Sequence, residues 1–374
     1  AIALVLTLAV TSVIIIGQSH RRTTTSTNDM EQTGAYAAYL LDRVVRSAGS
    51  GFAQSWKDQG VYGCKLTASR SGTAILPRGS TFPVPFAGFL GNAAGAANLR
   101  MTPVLIHSGA SASGSDVLMV MGGNAPAGDV PRPVRSFDTG TNSLRLDNTI
   151  GLKPNDVGLV SQNGVTSCLI EQVSSTFADG VGVQLLPLSG TYYTAGASND
   201  LQTLASSTSA FFTPLGNAGA SNLQFQLYGV GANNTLFRYD LLRQNGTDSS
   251  EAVADGVVAM RALYGLDTDT NGAIDTWVDP SATGYDAATM MATPAKQRQV
   301  VAIRIALLMR TSLLEKPNAD GNKVSPGSYV LFGDIDALKK TITLSSDEQN
   351  YRYRVVDFTV PVRVPPASVT PTWS

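Results

Sequence analysis

Cysteine and histidine are nearly absent from this 374-residue chain, which has 2 of each. Cys64 and Cys168 stand far apart, with no CxxC pair and no Cys/His cluster at metal-ligand spacing, so a cysteine–histidine metal centre is excluded. The simplest reading is one structural disulfide, formed in an oxidising compartment; two separate buried thiols are the alternative. His20 borders an apolar run and His107 sits in LIHSG, where a lone imidazole reads as structural. No GxSxG elbow, HExxH, P-loop or dinucleotide fingerprint is present, and the chain reads as a non-enzyme with no catalytic residues. Charge is also scarce, at 15% of residues, and the net charge of −1 supplies no basic field for a nucleic acid.

What the chain has in quantity is glycine, 36 residues, together with Ser, Thr and Asn, a composition that suits a large β-rich domain. The exception is the beginning. Residues 1–17, AIALVLTLAVTSVIIIG, carry no charge, and Gln18, His20, Arg21 and Arg22 end the run. As a helix this run rises about 25 Å, a little short of the roughly 30 Å hydrocarbon core of a bilayer. In the following stretch Met30, Ala37, Leu41, Val44 and Ala48 recur at helical steps, and Gly49, Ser50 and Gly51 supply a stop. The pattern predicts one helix of about 48 residues, near 70 Å, or else an anchor followed by a separate surface helix. Gly17 and Gly34 are natural places for a break. The expected fold class is therefore α+β, with a long N-terminal hydrophobic and amphipathic helix (residues 1–50) packed on a large β-rich globular head (residues 51–374).

Beyond Gly51, short apolar alternations separated by turn residues predict strands at Val117–Met121, Val157–Ser161, Cys168–Val173, Val181–Leu186, Leu223–Tyr228, Leu236–Leu242 and Val257–Tyr264. The run VVAIRIALLMR at 300–310 is apolar on both faces apart from Arg304 and reads as a central strand. In YRYRVVDFTVPVRV at 351–364 the apolar phase switches between Val355 and Val356, which predicts a β-bulge, and Pro361 predicts an edge position. Arg352, Arg354 and Arg363 read as a solvated face.

One segment carries recognisable chemistry. In DTDTNGAIDTWVD, Asp267, Asp269, Asn271 and Asp275 take positions one, three, five and nine of a calcium loop, with Gly272 at six and the Ala273 carbonyl at seven. Val278 stands where the bidentate acid belongs, and Asp279 follows. Calcium is the expected cofactor, with these residues and Asp279 as ligands; an Asx-rich turn is the alternative.

The segments YLLDRVVRSAGSGF, VYGCKL, NTLFRYDLL, VADGVVAMRALYGLDTDTNGAIDTW, QVVAIRIALLMRTS and YRYRVVDFTVPVRV, in that order, resemble the PilW-like minor pilins of type IV pili. The resemblance implies a structural subunit of the pilus tip or priming complex that supports assembly and adhesin display. Its implied partners are other major and minor pilins, a tip adhesin, and the inner membrane before assembly. The implied location is the inner membrane, single-pass with the head in the periplasm, and then the extracellular pilus. It also implies about eight residues ahead of Ala1, including a glutamate at the fifth mature position. Two other readings share these features: a J-type pseudopilin of a type II secretion system, and a membrane-tethered β-rich binding or adhesion protein that does not polymerise.

Overall fold

The computed structural model describes residues 2–52, 61–125, 130–162, 167–178, 180, 182–194, 198–205, 209–317 and 321–362. Helix α1 (Ile2–Arg46) opens the chain. Its Ala-, Leu-, Ile- and Val-rich start and later amphipathic stripe sustain it without interruption, through Gly17 and Gly34 alike. It ends where Gly49 and Gly51 take left-handed φ values of 76° and 88°. The first strands and short helix follow: β1 (Lys65–Arg70), β2 (Thr73–Leu76), α2 (Ala93–Ala96), β3 (Val104–His107) and β4 (Val117–Gly122). Next come β5 (Arg132–Asp138), β6 (Ser143–Leu146), β7 (Asp156–Gln162), β8 (Ser167–Gln172), β9 (Leu185–Pro187), α3 (Ser198–Ala205) and β10 (Ala210–Asn217). The chain continues through β11 (Gln224–Val230), β12 (Thr235–Asp240), β13 (Glu251–Asp255), β14 (Val257–Leu266), β15 (Thr276–Val278), α4 (Ala287–Ala292) and α5 (Pro294–Gln299). It closes with β16 (Val300–Arg310), β17 (Ser328–Leu331), β18 (Lys340–Thr343) and β19 (Tyr353–Pro361).

Four sheets result, ordered β2-β1-β8-β7-β10-β5-β6-β9, β13-β12-β11-β4-β3, β15-β14-β16-β19 and β17-β18. Pairing is antiparallel except where β1 runs parallel to β8, with Leu66 opposite Cys168. The main apolar core gathers the buried faces of α1, β4, β11, β14 and β16, including Leu41, Met119, Leu227, Tyr264 and Ile305. A second core lies on the other face of the long sheet under α3, around Val160, Leu169, Leu204 and Phe212. Small apolar clusters join the outer face of β14, β16 and β19 to the β17–β18 hairpin, through residues such as Leu263, Leu331, Leu344 and Val355.

The expected fold class and location both need correction. The chain is mostly β, with several sheets, and its helices besides α1 are short. From Ser26 to Ala48 the buried side chains of this N-terminal segment belong to the body of the molecule. Among the described residues no helix is long and apolar enough to cross a membrane, which contradicts the single-pass inner-membrane assignment. The uncharged run ends at Gln18, His20, Arg21 and Arg22 after a helical rise of about 25 Å, short of the roughly 30 Å hydrocarbon core.

The bulge expected at Val355 and Val356 is also absent. Strands β16 and β19 pair without a break from Ala302–Pro361 to Arg310–Tyr353. The apolar phase changes because β19 is covered on both faces: Val356, Phe358 and Val360 meet the main core, while Tyr353 and Val355 meet the hairpin clusters. Strand β16 is central and β19 lies at the edge, where Pro361 lacks no ladder donor. Of the strand expected at Val181–Leu186, only Leu185–Pro187 forms, and Val181 lies outside the described residues. Arg363 and the tail after it also lie outside them.

Candidate functional site

Two places bring together residues that sequence alone singles out. The first is the hairpin loop between β14 and β15, closed by the Leu266–Thr276 pair and by Asp275 N donating to Leu266 O at 2.8 Å. Asp267 is buried, while Asp269 and Asp275 are exposed, and one carboxylate oxygen from each lies within 4.8 Å of the others. Asp267 Oδ2 accepts from Gly272 N at 2.7 Å, and Asp269 Oδ2 accepts from Asn271 Nδ2 at 2.8 Å. Asn271 Oδ1 in turn accepts from Ala273 N at 2.7 Å. Gly272 holds φ at 86°, the left-handed conformation that lets the loop fold back over its own acids. Thr268 donates to Asp275 Oδ2 through its hydroxyl, at 2.7 Å, and its backbone N–H, at 2.6 Å, and holds that carboxyl below its usual range.

Asp279, expected to supply the last acid, is not part of this group. Its carboxylate pairs with Lys340 on β18 and accepts from Ser281 N at 2.8 Å. Burial pushes it up, and Lys340 and Ser281 more than reverse the effect. The loop thus assembles Asp267, Asp269, Asn271 and Asp275 around Gly272, and Asp279 tethers the neighbouring hairpin. Lys340 was not legible as its partner, because nothing in the sequence ties two positions so far apart.

The second place is the seat of α1. Ser26, Met30, Gly34, Ala37, Leu41, Val44, Val45 and Ala48 form its buried stripe, and the helix lies against β13, β16 and β19. An added Cβ on Gly34 would come within 3.3 Å of Met309 Cγ, so its missing side chain allows close approach. Polar ties flank the apolar seat. Arg354 Nη1 donates to Glu31 Oε1 at 2.5 Å, Leu313 N donates to Ser26 Oγ at 3.3 Å, and the Ser47 hydroxyl donates to Gln224 Oε1. Arg352 likewise pairs with Glu315, at 2.6 Å, so both described arginines are solvent-exposed, as expected, and each also holds an acid. The outward side of the same helix exposes Tyr36 and Tyr39.

The cysteines are bonded: Cys64, just before β1, joins Cys168 in β8, across 104 residues of sequence. His107 is engaged structurally, its Nδ1 accepting from Leu90 N at 2.9 Å and its ring lying against Phe89. Burial holds its pKa below the ordinary value. The side chain of His20 lies outside the described residues.

A β-rich chain whose last third builds the platform for its own N-terminal helix is the class these features define. Residues 223–364 match the family model described as Type IV Pilus-assembly protein W, and over this stretch the chain is similar to PilW-like type IV pilus proteins. The match ties it to type IV pilus assembly and to the pilus machinery. No curated protein and no solved structure matches the chain.

Proposed function

We propose that the chain acts as a minor pilin, a structural subunit that supports type IV pilus assembly by binding other pilins, with no catalytic turnover. The observation that carries this reading is positional: β13, β16 and β19, the three strands that seat α1, all lie within the stretch that matches the PilW model. The family-matched part of the chain is thus the part that fixes how the helix is presented. Burial of seven side chains along that seat, most of them aliphatic, stabilises it by several kcal/mol at roughly 25 cal/mol per Å² of apolar area. Its outward tyrosines remain available to a neighbouring subunit, and aromatic side chains are favoured at such contacts. Site-specific photocrosslinking from position 39 tests this: adducts with other pilus subunits are expected, and their absence in piliated cells counts against it.

A second reading concerns the loop, and the approach of three carboxylates within 4.8 Å favours it. Their mutual repulsion is relieved by a divalent cation, and the oxygen-only ligand set suits calcium. Asp267, Asp269 and Asp275 would hold the ion, with Asn271 and the Ala273 carbonyl alongside, and its effect would be to stabilise the β14–β15 hairpin. Calorimetric titration with calcium chloride tests it.

A further inference from the structure

The outward side of α1 carries a regular seam. Asp29, Gln32, Tyr36, Tyr39 and Arg43 follow one another at alternating steps of three and four residues, which lines them along one face, turned away from the seat of Met30, Gly34, Ala37 and Leu41. All five are exposed, the two tyrosines by 51% and 64%. Large aromatic side chains held this far out of a helix suit a contact surface, where aromatic residues and arginine are enriched.

Charge on this side is unevenly committed. Glu31 already pairs with Arg354, and Arg46 with Asp42. Among the described residues Asp29 and Arg43 have no ion-pair partner. They stand equally far to either side of Tyr36, an acid towards the start of the helix and a base towards its end. A seam of this kind is complementary to its own reverse. When a second helix runs antiparallel about a two-fold axis beside Tyr36, Asp29 of each copy meets Arg43 of the other. Tyr39 of each then lies over Gln32 of the other, and the two Tyr36 rings meet at the axis. Two copies running parallel and in register would instead oppose Asp29 to Asp29 and Arg43 to Arg43, so the charge pattern favours the reversed pairing and disfavours the other.

We propose that the outward face of α1 is an interface for a second copy of this chain, in which the two helices pair antiparallel about Tyr36. The contact is isologous, the same patch serving both copies, which is the commonest way for a protein to dimerise. It covers the tyrosines that the pilin reading leaves to a neighbouring subunit, so the pair is the state of the chain before it joins a pilus. Purified full-length chain with no other pilus component is the material for the test, and its outcome is therefore independent of that reading.

Sedimentation equilibrium of the full chain in mild detergent at low salt should show a monomer–dimer equilibrium. Asp29→Arg and Arg43→Asp should each weaken the dimer by roughly tenfold, because two attractive contacts become two repulsive ones. The double variant, which exchanges the charges, should restore it. A chain that stays monomeric up to about 100 μM, or a double variant as weak as either single one, would overturn the proposal. Orientation is read by oxidative crosslinking, since both native cysteines are already bonded to each other. Tyr36→Cys should form a disulfide-linked dimer, whereas Thr25→Cys should not, its two copies lying about 33 Å apart at 1.5 Å per residue. Any other crosslinking pattern overturns the antiparallel pairing.

Discussion

Gly34 and Met309 meet where α1 lies on its sheet: a Cβ built on the glycine would sit 3.3 Å from Met309 Cγ and 3.5 Å from Val356 Cγ2. The helix can lie this low because that position carries no side chain. Gly34→Ala should be nearly neutral, since the small shift required is offset by alanine's better helix propensity, worth up to about 1 kcal/mol. Gly34→Leu should destabilise by roughly 1–3 kcal/mol through overpacking. Chemical denaturation midpoints for both variants check the pair, and a neutral Gly34→Leu would show that the helix does not seat as described.

The bond between Cys64 and Cys168 closes a loop of 104 residues around the parallel β1–β8 pair. Chain-entropy reasoning gives such a loop an upper value near 4.7 kcal/mol, and measured losses are usually about 2–4 kcal/mol. Cys64→Ser with Cys168→Ser should lower the melting temperature by several degrees, and the wild type in reductant should match the double variant. The main core should survive, because most of its contacts do not depend on this crosslink.

The expected ligand set for calcium contains Asp279, whereas the structure commits that residue to Lys340. The two acids therefore separate by mutation. Asp269→Ala should abolish any calcium-dependent rise in melting temperature. Asp279→Ala should retain that rise while lowering baseline stability through loss of the tie to β18. If calcium produces no shift in the wild type, the loop is only a turn.

His107 accepts a hydrogen bond from Leu90 N and is held neutral by burial. Its folded-state pKa is depressed, so the unfolded chain takes up the proton first as pH falls below the ordinary value of 6.5. Stability should accordingly decline between pH 7.5 and 5.5, by at most about 1.4 kcal/mol per unit. In His107→Gln, which keeps an acceptor but does not titrate over this range, the slope should flatten. Denaturation at several pH values reads it directly.

Parts of this architecture were legible because local pattern and burial agree. Strand β16 is apolar on both faces and does occupy the middle of its sheet, and the glycines after Ala48 do end α1. Strand β19 misled because a phase switch has two physical origins, an extra residue or burial on both faces, and alternation alone does not separate them. Its outer cover, the β17–β18 hairpin, is set by tertiary packing. The acidic loop was legible to Asp275 because its ligand spacing is local, and it failed at Asp279, whose partner comes from a strand some 60 residues on.

The role in pilus assembly is tested most directly in cells. A strand-preserving in-frame deletion is made, surface pili are counted, and an epitope-tagged full chain is sought in the sheared pilus fraction. The predicted result is few or no pili without the chain, restoration by the wild-type chain, and tagged protein in the fraction at far below the abundance of the major subunit. Normal piliation in the deletion strain, with no tagged chain in the pilus fraction, would contradict a minor-pilin role.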